Sequence, residues 1–311
     1  MGRGKLGRTA STQAQDRMGP PGDTLGAGGK GLLAILCLAA GIVPLAARSI
    51  PGQGAEIAYG LVVTAVYLAI TVFVRRSPSL RKFWELGFVF FIFAVVQVLN
   101  NSIPDAFRTY VLHEHTVTGN PESSTIGGTV AVQLVQTLIA IVPIFVLIRI
   151  AGLDLGSVYA RLGKFGRAYA IGIFGFVAVY VLIALYPGQR AIPIHGTITL
   201  ARYLALTPAL IVLVLSNGFQ EEFLFRGLFL QRYGTFLGVY VSNIVQALVF
   251  AFAHLGVTYT PSAVVFTLVA VFPLGLIAGY LMRSSDGVVA PALFHAGVDI
   301  PIYLAFLTYV S

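Results

Sequence analysis

Stretches of about 20 mostly apolar residues, the length a helix needs to cross a bilayer, recur from end to end of this chain. They fall at Gly31–Ala47 and at 55–74, 85–102, 126–148, 168–186, 203–230, 235–255, 262–282 and 288–309. Backbone in hydrocarbon must satisfy its own hydrogen bonds, so runs of this kind are read as helices. The expected fold class is all-α, a polytopic transmembrane bundle of about 8–9 membrane helices. Composition agrees, with 57% hydrophobic and 10% charged residues, where soluble domains carry about a quarter charged. The single cysteine, Cys37, sits in an apolar run and has no partner for a disulfide within the chain. The sequence shows no internal repeat, which argues against an inverted-repeat transporter.

The basic residues orient the bundle. Alternate connections carry Arg75, Arg76, Arg81 and Lys82, then Arg149, Arg161, Lys164 and Arg167, then Arg232, then Arg283. The intervening ones hold only Arg48, Arg108, Arg190 and Arg202. The positive-inside rule makes the first set cytoplasmic, together with a Gly-rich tail at 1–30 that reads as disordered and basic. The formal charge of +8 is thereby accounted for by topology, with no nucleic-acid partner implied. The run at Gly31–Ala47 ends in Leu45-Ala46-Ala47, which resembles a signal-peptide cleavage site, but the long leader and the helices that follow favour a retained first helix. Compact loops suggest the plasma (inner) membrane of a bacterium, with a cytoplasmic N-terminus. The tail is followed by N-terminal transmembrane helices at 31–165 and a C-terminal unit at 166–311. Residues 103–125 are expected to form an external loop. The segment 149–167 is expected to lie along the inner surface.

Charged side chains inside the spans are costly and mark functional sites. The run Gln220-Glu221-Glu222-Phe223-Leu224-Phe225-Arg226 places two carboxylates and a guanidinium on one membrane helix. Glu222 and Arg226 are four apart and share a face, so they can pair, which leaves Glu221 without that partner. Further on, His254 follows Phe250 by four residues, and Asp299 follows His295 by four. Glu221, His254, His295 and Asp299 thus lie on three separate helices, while the other spans are nearly free of ionisable groups. A carboxylate beside an imidazole can take a proton from water, and a second imidazole with a further polar group can stabilise an oxyanion. Two histidines and a carboxylate, with His254 and His295 as ligands, also match a catalytic Zn(2+) shell. Counting from the cytoplasmic ends places Glu221 about 20 Å deep, His254 about 27 Å and His295 about 10 Å, depths that only tilt, kinks or shifted helix ends would reconcile.

These residues resemble the CPBP intramembrane proteases, the group of type II CAAX prenyl endopeptidases and bacteriocin-immunity proteins. The group's pattern is Glu-Glu-x-x-x-Arg, then Phe-x-x-x-His, then His-x-x-x-Asn/Asp. Here it reads Glu221-Glu222 with Arg226, Phe250 with His254, and His295 with Asp299, in order and on separate helices. The resemblance covers about 170–309 and would make 166–311 a CPBP-like protease core. It implies an endopeptidase acting on membrane-associated or CAAX-type protein or peptide substrates. Glu221 would activate water with His254, His295 and Asp299 would complete the site, and Glu222, Arg226 and Phe250 would support it. Both a zinc mechanism and a metal-free glutamate mechanism stay open. Asp299 leans towards metal, because an ionised Asp cannot donate to an oxyanion as Asn can.

Two other readings of the same residues are kept. Intramembrane Glu, His and Asp also build proton relays in transporters, and a family member can act as a non-enzymatic immunity or scaffold protein. Water is expected to reach Glu221 through a polar cavity from the cytoplasmic side. His113 and His115 read as solvated loop residues, Tyr180 and Tyr186 as interfacial aromatics, and Gln97, Asn100 and Asn101 as interhelical hydrogen-bonding groups.

Overall fold

The computed structural model describes residues 25–185, 195–255 and 261–311. Most of the 1–30 tail, with Arg3, Lys5, Arg8 and Arg17, lies outside the described residues, as do Tyr186 and Arg190. Lys30 is already helical.

The described chain is helical, with no sheet. Eight helical stretches are long and apolar enough to cross a membrane, so this is an integral, multi-pass membrane protein. α1 (Ala27–Ile42) continues as a tighter helix through Val43–Ser49, and α2 (Gln53–Arg76) returns beside it. Next come α3 (Trp84–Asn100), α4 (Ile126–Ile150) and α5 (Arg167–Leu185). α6 (Leu200–Glu221) runs without a loop through a wide π-type turn, Glu222–Gly227, into α7 (Leu228–Ala253). α8 (Phe272–Ser285) is led in by further helical turns from Pro261, and α9 (Val289–Thr308) closes the chain.

The separate spans expected at 203–230 and 235–255 form one 54-residue helical stretch. It breaks at Gly238, whose φ of 77° and ψ of 177° are non-helical. A positive φ is open to glycine at little cost and strained for other residues, so the chain reverses there without a loop. Counted from that break, Glu221 and His254 lie at nearly equal distances, about 25 Å along their helices. The depth mismatch at His295 closes differently. The 151–166 segment folds beneath the α8–α9 turn, with Val288 N–H donating to Tyr159 O at 3.1 Å and Arg161 Nε to Asp286 O at 2.8 Å. α9 therefore starts recessed, above a strap of chain. The expected surface-lying segment is this strap. Arg232, read as a loop cation, is instead buried and bonds to Ser157 O and Oγ, with Glu85 3.6 Å away.

α9 is the inner helix of the bundle. Of its spanning window 61% is buried, against 22% for α2 and for α5. It packs on α5, α6 and α8, and small residues allow the approach. A Cβ on Gly218 of α6 would stand 2.7 Å from Ala292 O, and one on Gly297 of α9 would stand 2.7 Å from Phe176 Cα. Polar bonds lock the same helices. Tyr303 Oη donates to Gln133 Oε1 at 2.6 Å, and Gln133 Nε2 to Gln220 Oε1 at 3.0 Å, joining α9, α4 and α6. Tyr180 shares a 2.8 Å bond with Thr207 Oγ1, so it ties α5 to α6.

Candidate active site

Glu221 is the last residue of α6 and Glu222 opens the π-type turn. Such turns widen the helix and are frequent at functional sites. The two carboxylates part company there. Glu222 turns inward and is fully buried, with Arg226 Nη1 3.1 Å from its Oε1. The Arg226 guanidinium also lies over the Phe250 ring, 4.0 Å from its centroid. The expected Glu222–Arg226 pair is in place, and Phe250 is its third member.

Glu221 stays 18% exposed in its side chain and faces both histidines: its Oε2 is 3.4 Å from His295 Nε2 and 3.7 Å from His254 Nε2. That oxygen is buried and makes no hydrogen bond to any described residue. Asp299 Oδ1 lies 3.7 Å from His295 Nε2. The four residues singled out from sequence therefore share one site, although they come from α6, the end of α7 and α9.

Each imidazole is oriented through its other nitrogen. His254 Nδ1 is 2.9 Å from Phe250 O. A carbonyl only accepts, so Nδ1 carries the proton and Nε2 is presented to Glu221. His295 Nδ1 is 2.8 Å from Glu222 Oε1, which fixes that ring in the same sense. Phe250 meets the His295 ring edge-on, at 89° and 5.6 Å between centroids. Among the described residues no three His, Cys, Asp or Glu side chains are grouped to hold a metal ion. The two nitrogens expected as zinc ligands, on His254 and His295, nonetheless both face Glu221.

Asn217 escaped notice in the sequence. It lies four residues before Glu221 and so on the same face, and its Nδ2 donates to Asp299 Oδ2 at 2.9 Å. A lone Asn within a span carries little signal by itself; its i−4 relation to the candidate base was the available clue.

The site opens into a polar cavity of about 330 Å³. Asn217, Gln220, Glu221, His254, Asp299 and Tyr303 line it, together with Arg48, Gln97, Asn100, Glu122 and Gln136. Glu122 accepts from Gln136 Nε2 at 2.9 Å, and burial pushes its carboxyl above the usual range. Of the lining residues, Arg48, Gln97, Asn100 and Glu122 come from the continuation of α1, the end of α3 and the loop before α4, at the end of the bundle opposite the basic connections, while Gln136 projects from within α4. The expected entry of water from the basic end is thus corrected: the cavity opens at the other end. The cause is the α7 segment after Gly238, which carries His254 to the sparsely basic end before the chain turns. In the loop itself His113 and His115 are exposed, while the intervening Glu114 bonds to Ser123, Ser124 and Thr125. Gln97, expected to bond between helices, accepts from Arg48 Nη2 at 3.4 Å and is, with Asn100, a wall of the cavity.

Residues 203–301 match the family described as Rce1-like: type II CAAX prenyl endopeptidase Rce1-like. Comparison with curated proteins and with solved structures gave no match. The matched stretch holds Asn217, Glu221, Glu222, Arg226, Phe250, His254, His295 and Asp299. Arg48, Gln97, Glu122 and Gln136 fall outside it.

Proposed function

We propose that this chain, a member of the type II CAAX prenyl endopeptidase family through residues 203–301, is an intramembrane endopeptidase. The observation that carries the reading is Glu221 Oε2: a buried carboxylate oxygen at the cavity floor, without a hydrogen bond among the described residues and faced by two imidazole nitrogens. The Glu221 side chain as a whole is 18% exposed at the cavity, so water has access to the carboxylate beside the two imidazoles.

In this reading Glu221 takes a proton from the water, His254 Nε2 holds the water by a second hydrogen bond, and the hydroxide adds to the scissile carbonyl carbon. The resulting oxyanion is met by the second N–H of Asn217 Nδ2, whose first is used on Asp299. This supplies the donor that Asp299 itself lacks when ionised. Collapse breaks the C–N bond, and Glu221 returns its proton to the leaving amine. His295, held by Glu222, keeps Glu221 and Asp299 apart and in register. Glu222, Arg226 and Phe250 act on the chemistry only through His295.

The charge rule places the N-terminus and the basic ends in the cytoplasm, and we assign the chain to the inner membrane of a bacterium. The cavity then opens away from the cytoplasm, where a membrane-associated peptide segment would enter it.

The test compares new protein N-termini in cells carrying wild type or Glu221→Gln at matched abundance. Cleavage products confined to wild type support the peptidase. A phenotype that survives Glu221→Gln, with no change in termini, would replace it with a scaffold or immunity role. Metal analysis of the purified protein separates the two mechanisms: activity lost on chelation and regained with zinc would transfer the water to an ion on His254 and His295.

A further inference from the structure

Arg283 lies near the end of α8 and reaches both sides of the Gly238 reversal in α7. Its Nη2 donates to Leu230 O at 3.0 Å, before the break, and to Ser242 Oγ, after it. Both Nη2 hydrogens are thereby used. Nη1 makes no hydrogen bond to any described residue, and Nε is buried without one. The neighbouring acids are engaged elsewhere: Asp286 pairs with Arg161, and Glu85 lies 3.6 Å from Arg232. Among the described residues no carboxylate stands within ion-pair distance of Arg283. A guanidinium fixed by two bonds thus keeps its charge without a counter-ion.

The same guanidinium lines a groove of about 450 Å³ between α8 and the part of α7 that follows Gly238. Val239, Ile244 and Leu276 are apolar walls, and Arg283 and Ser284 lie where α8 ends. Leu276 is seven residues before Arg283, so the apolar part runs about 10 Å along α8 away from the charge. Tyr240 and Tyr280 also line it and are 84% and 53% exposed, as tyrosines are where headgroups meet hydrocarbon. Arg283 belongs to the basic end of the bundle, which the charge rule sets in the leaflet facing the cytoplasm, where anionic lipids attract Lys and Arg. An arginine with free N–H donors at the end of an apolar trough matches a phosphate joined to an acyl chain.

We propose that this groove binds one anionic phospholipid, with its phosphate on Arg283 Nη1 and the upper part of an acyl chain against Val239, Ile244 and Leu276. The groove shares no residue with the Glu221 cavity, and the proposal does not depend on the peptidase reading. A lipid held there braces the Gly238 reversal, because Arg283 is tied to both of its arms.

The experiment titrates the full-length protein in detergent with dioleoyl phosphatidylglycerol, with dioleoylglycerol, which has the same tails and no phosphate, and with glycerol 3-phosphate, which has no tails. Bound lipid is counted by native mass spectrometry, and melting temperature is followed in parallel. Phosphatidylglycerol is expected to bind about tenfold more tightly than dioleoylglycerol, as a charge-assisted hydrogen bond implies, and to raise the melting temperature more. Arg283→Gln should bring the two lipids to within about twofold, and Arg283→Lys should keep part of the preference, since it keeps the charge. Ile244→Trp fills the groove without touching the bonds of Arg283 and should weaken both lipids, so it decides the matter if Arg283→Gln fails to fold. Equal binding of the two lipids by wild type, a preference untouched by Arg283→Gln, or phosphatidylglycerol binding unchanged by Ile244→Trp would each overturn the proposal. Displacement of phosphatidylglycerol by equimolar glycerol 3-phosphate would mark a soluble-phosphate site instead, also against it.

Discussion

His295 is bound through Nδ1 to Glu222 at 2.8 Å while its Nε2 faces Glu221 at 3.4 Å. One imidazole therefore joins the two adjacent glutamates, one ending α6 and the other opening the π-type turn, and gives them different work: Glu222 holds the ring, and Glu221 faces the cavity.

Substitutions at the two glutamates should separate stability from activity. Glu222→Ala leaves Arg226 buried without its partner, and breaking a buried pair in this way costs about 3–5 kcal/mol. Thermal unfolding in detergent and cellular abundance should both fall. Glu221→Gln should leave unfolding nearly unchanged while lowering turnover by about 10²–10⁴-fold, the usual contribution of a general base. Equal destabilisation by the two would contradict the division.

Asn217 should matter as a donor. Asn217→Ala is expected to reduce turnover by about 10²–10³-fold, as removal of an oxyanion donor does, with substrate binding less affected. Asn217→Asp should be worse than Asn217→Ala, because it sets a second carboxylate against Asp299 at hydrogen-bond distance. Steady-state kinetics on the same peptide would check the order, and the reverse order would remove the proposed role.

The close approach of α6 and α9 holds the site together. Gly218→Ala places a Cβ 2.7 Å from the backbone oxygen of Ala292 and 3.3 Å from Ala296 N, neither of which is a flexible side chain. The helices must part, at a cost of about 1–3 kcal/mol, and Glu221 moves away from His295. Activity should be lost although no polar residue is touched. Retention of both melting temperature and turnover would show that the contact is slack.

The side on which the cavity opens can be read by labelling. Cys37 is buried, so a single cysteine introduced at Gln136 or Asn100, with Cys37→Ser, reports accessibility of the cavity. A membrane-impermeant maleimide should label it from outside intact cells. Labelling only after permeabilisation would reverse the orientation assigned from the basic connections.

Two carboxylates in the loop before α4 should give opposite pH signatures. Burial raises the Glu122 carboxyl, and hydrogen bonds from Ser123 first, then Thr125 and Ser124, lower that of Glu114. Between the ordinary carboxylate value and its raised one, folded Glu122 holds more protons than unfolded Glu122, so stability falls as pH rises through that window. Glu114 contributes stability above the ordinary value that is lost as pH falls through its lowered one. Melting temperature against pH should lose the first slope in Glu122→Gln and the second in Glu114→Gln.

Local pattern determined a good deal by itself. Apolar run length defines the helices because a bilayer leaves backbone no other partner, and the i,i+4 relations of Glu222 with Arg226, Phe250 with His254 and His295 with Asp299 follow from helical pitch alone. What sequence spacing could not supply is depth and direction across the bundle. Gly238 turns the chain without a loop, and the strap at 151–166 lifts the start of α9. Only these features bring His254 and His295 to the level of Glu221. Arg48, Asn217 and Glu122 reach the cavity for the same reason: packing between helices far apart in the chain decides which side chains meet, and no periodicity within one helix carries that information.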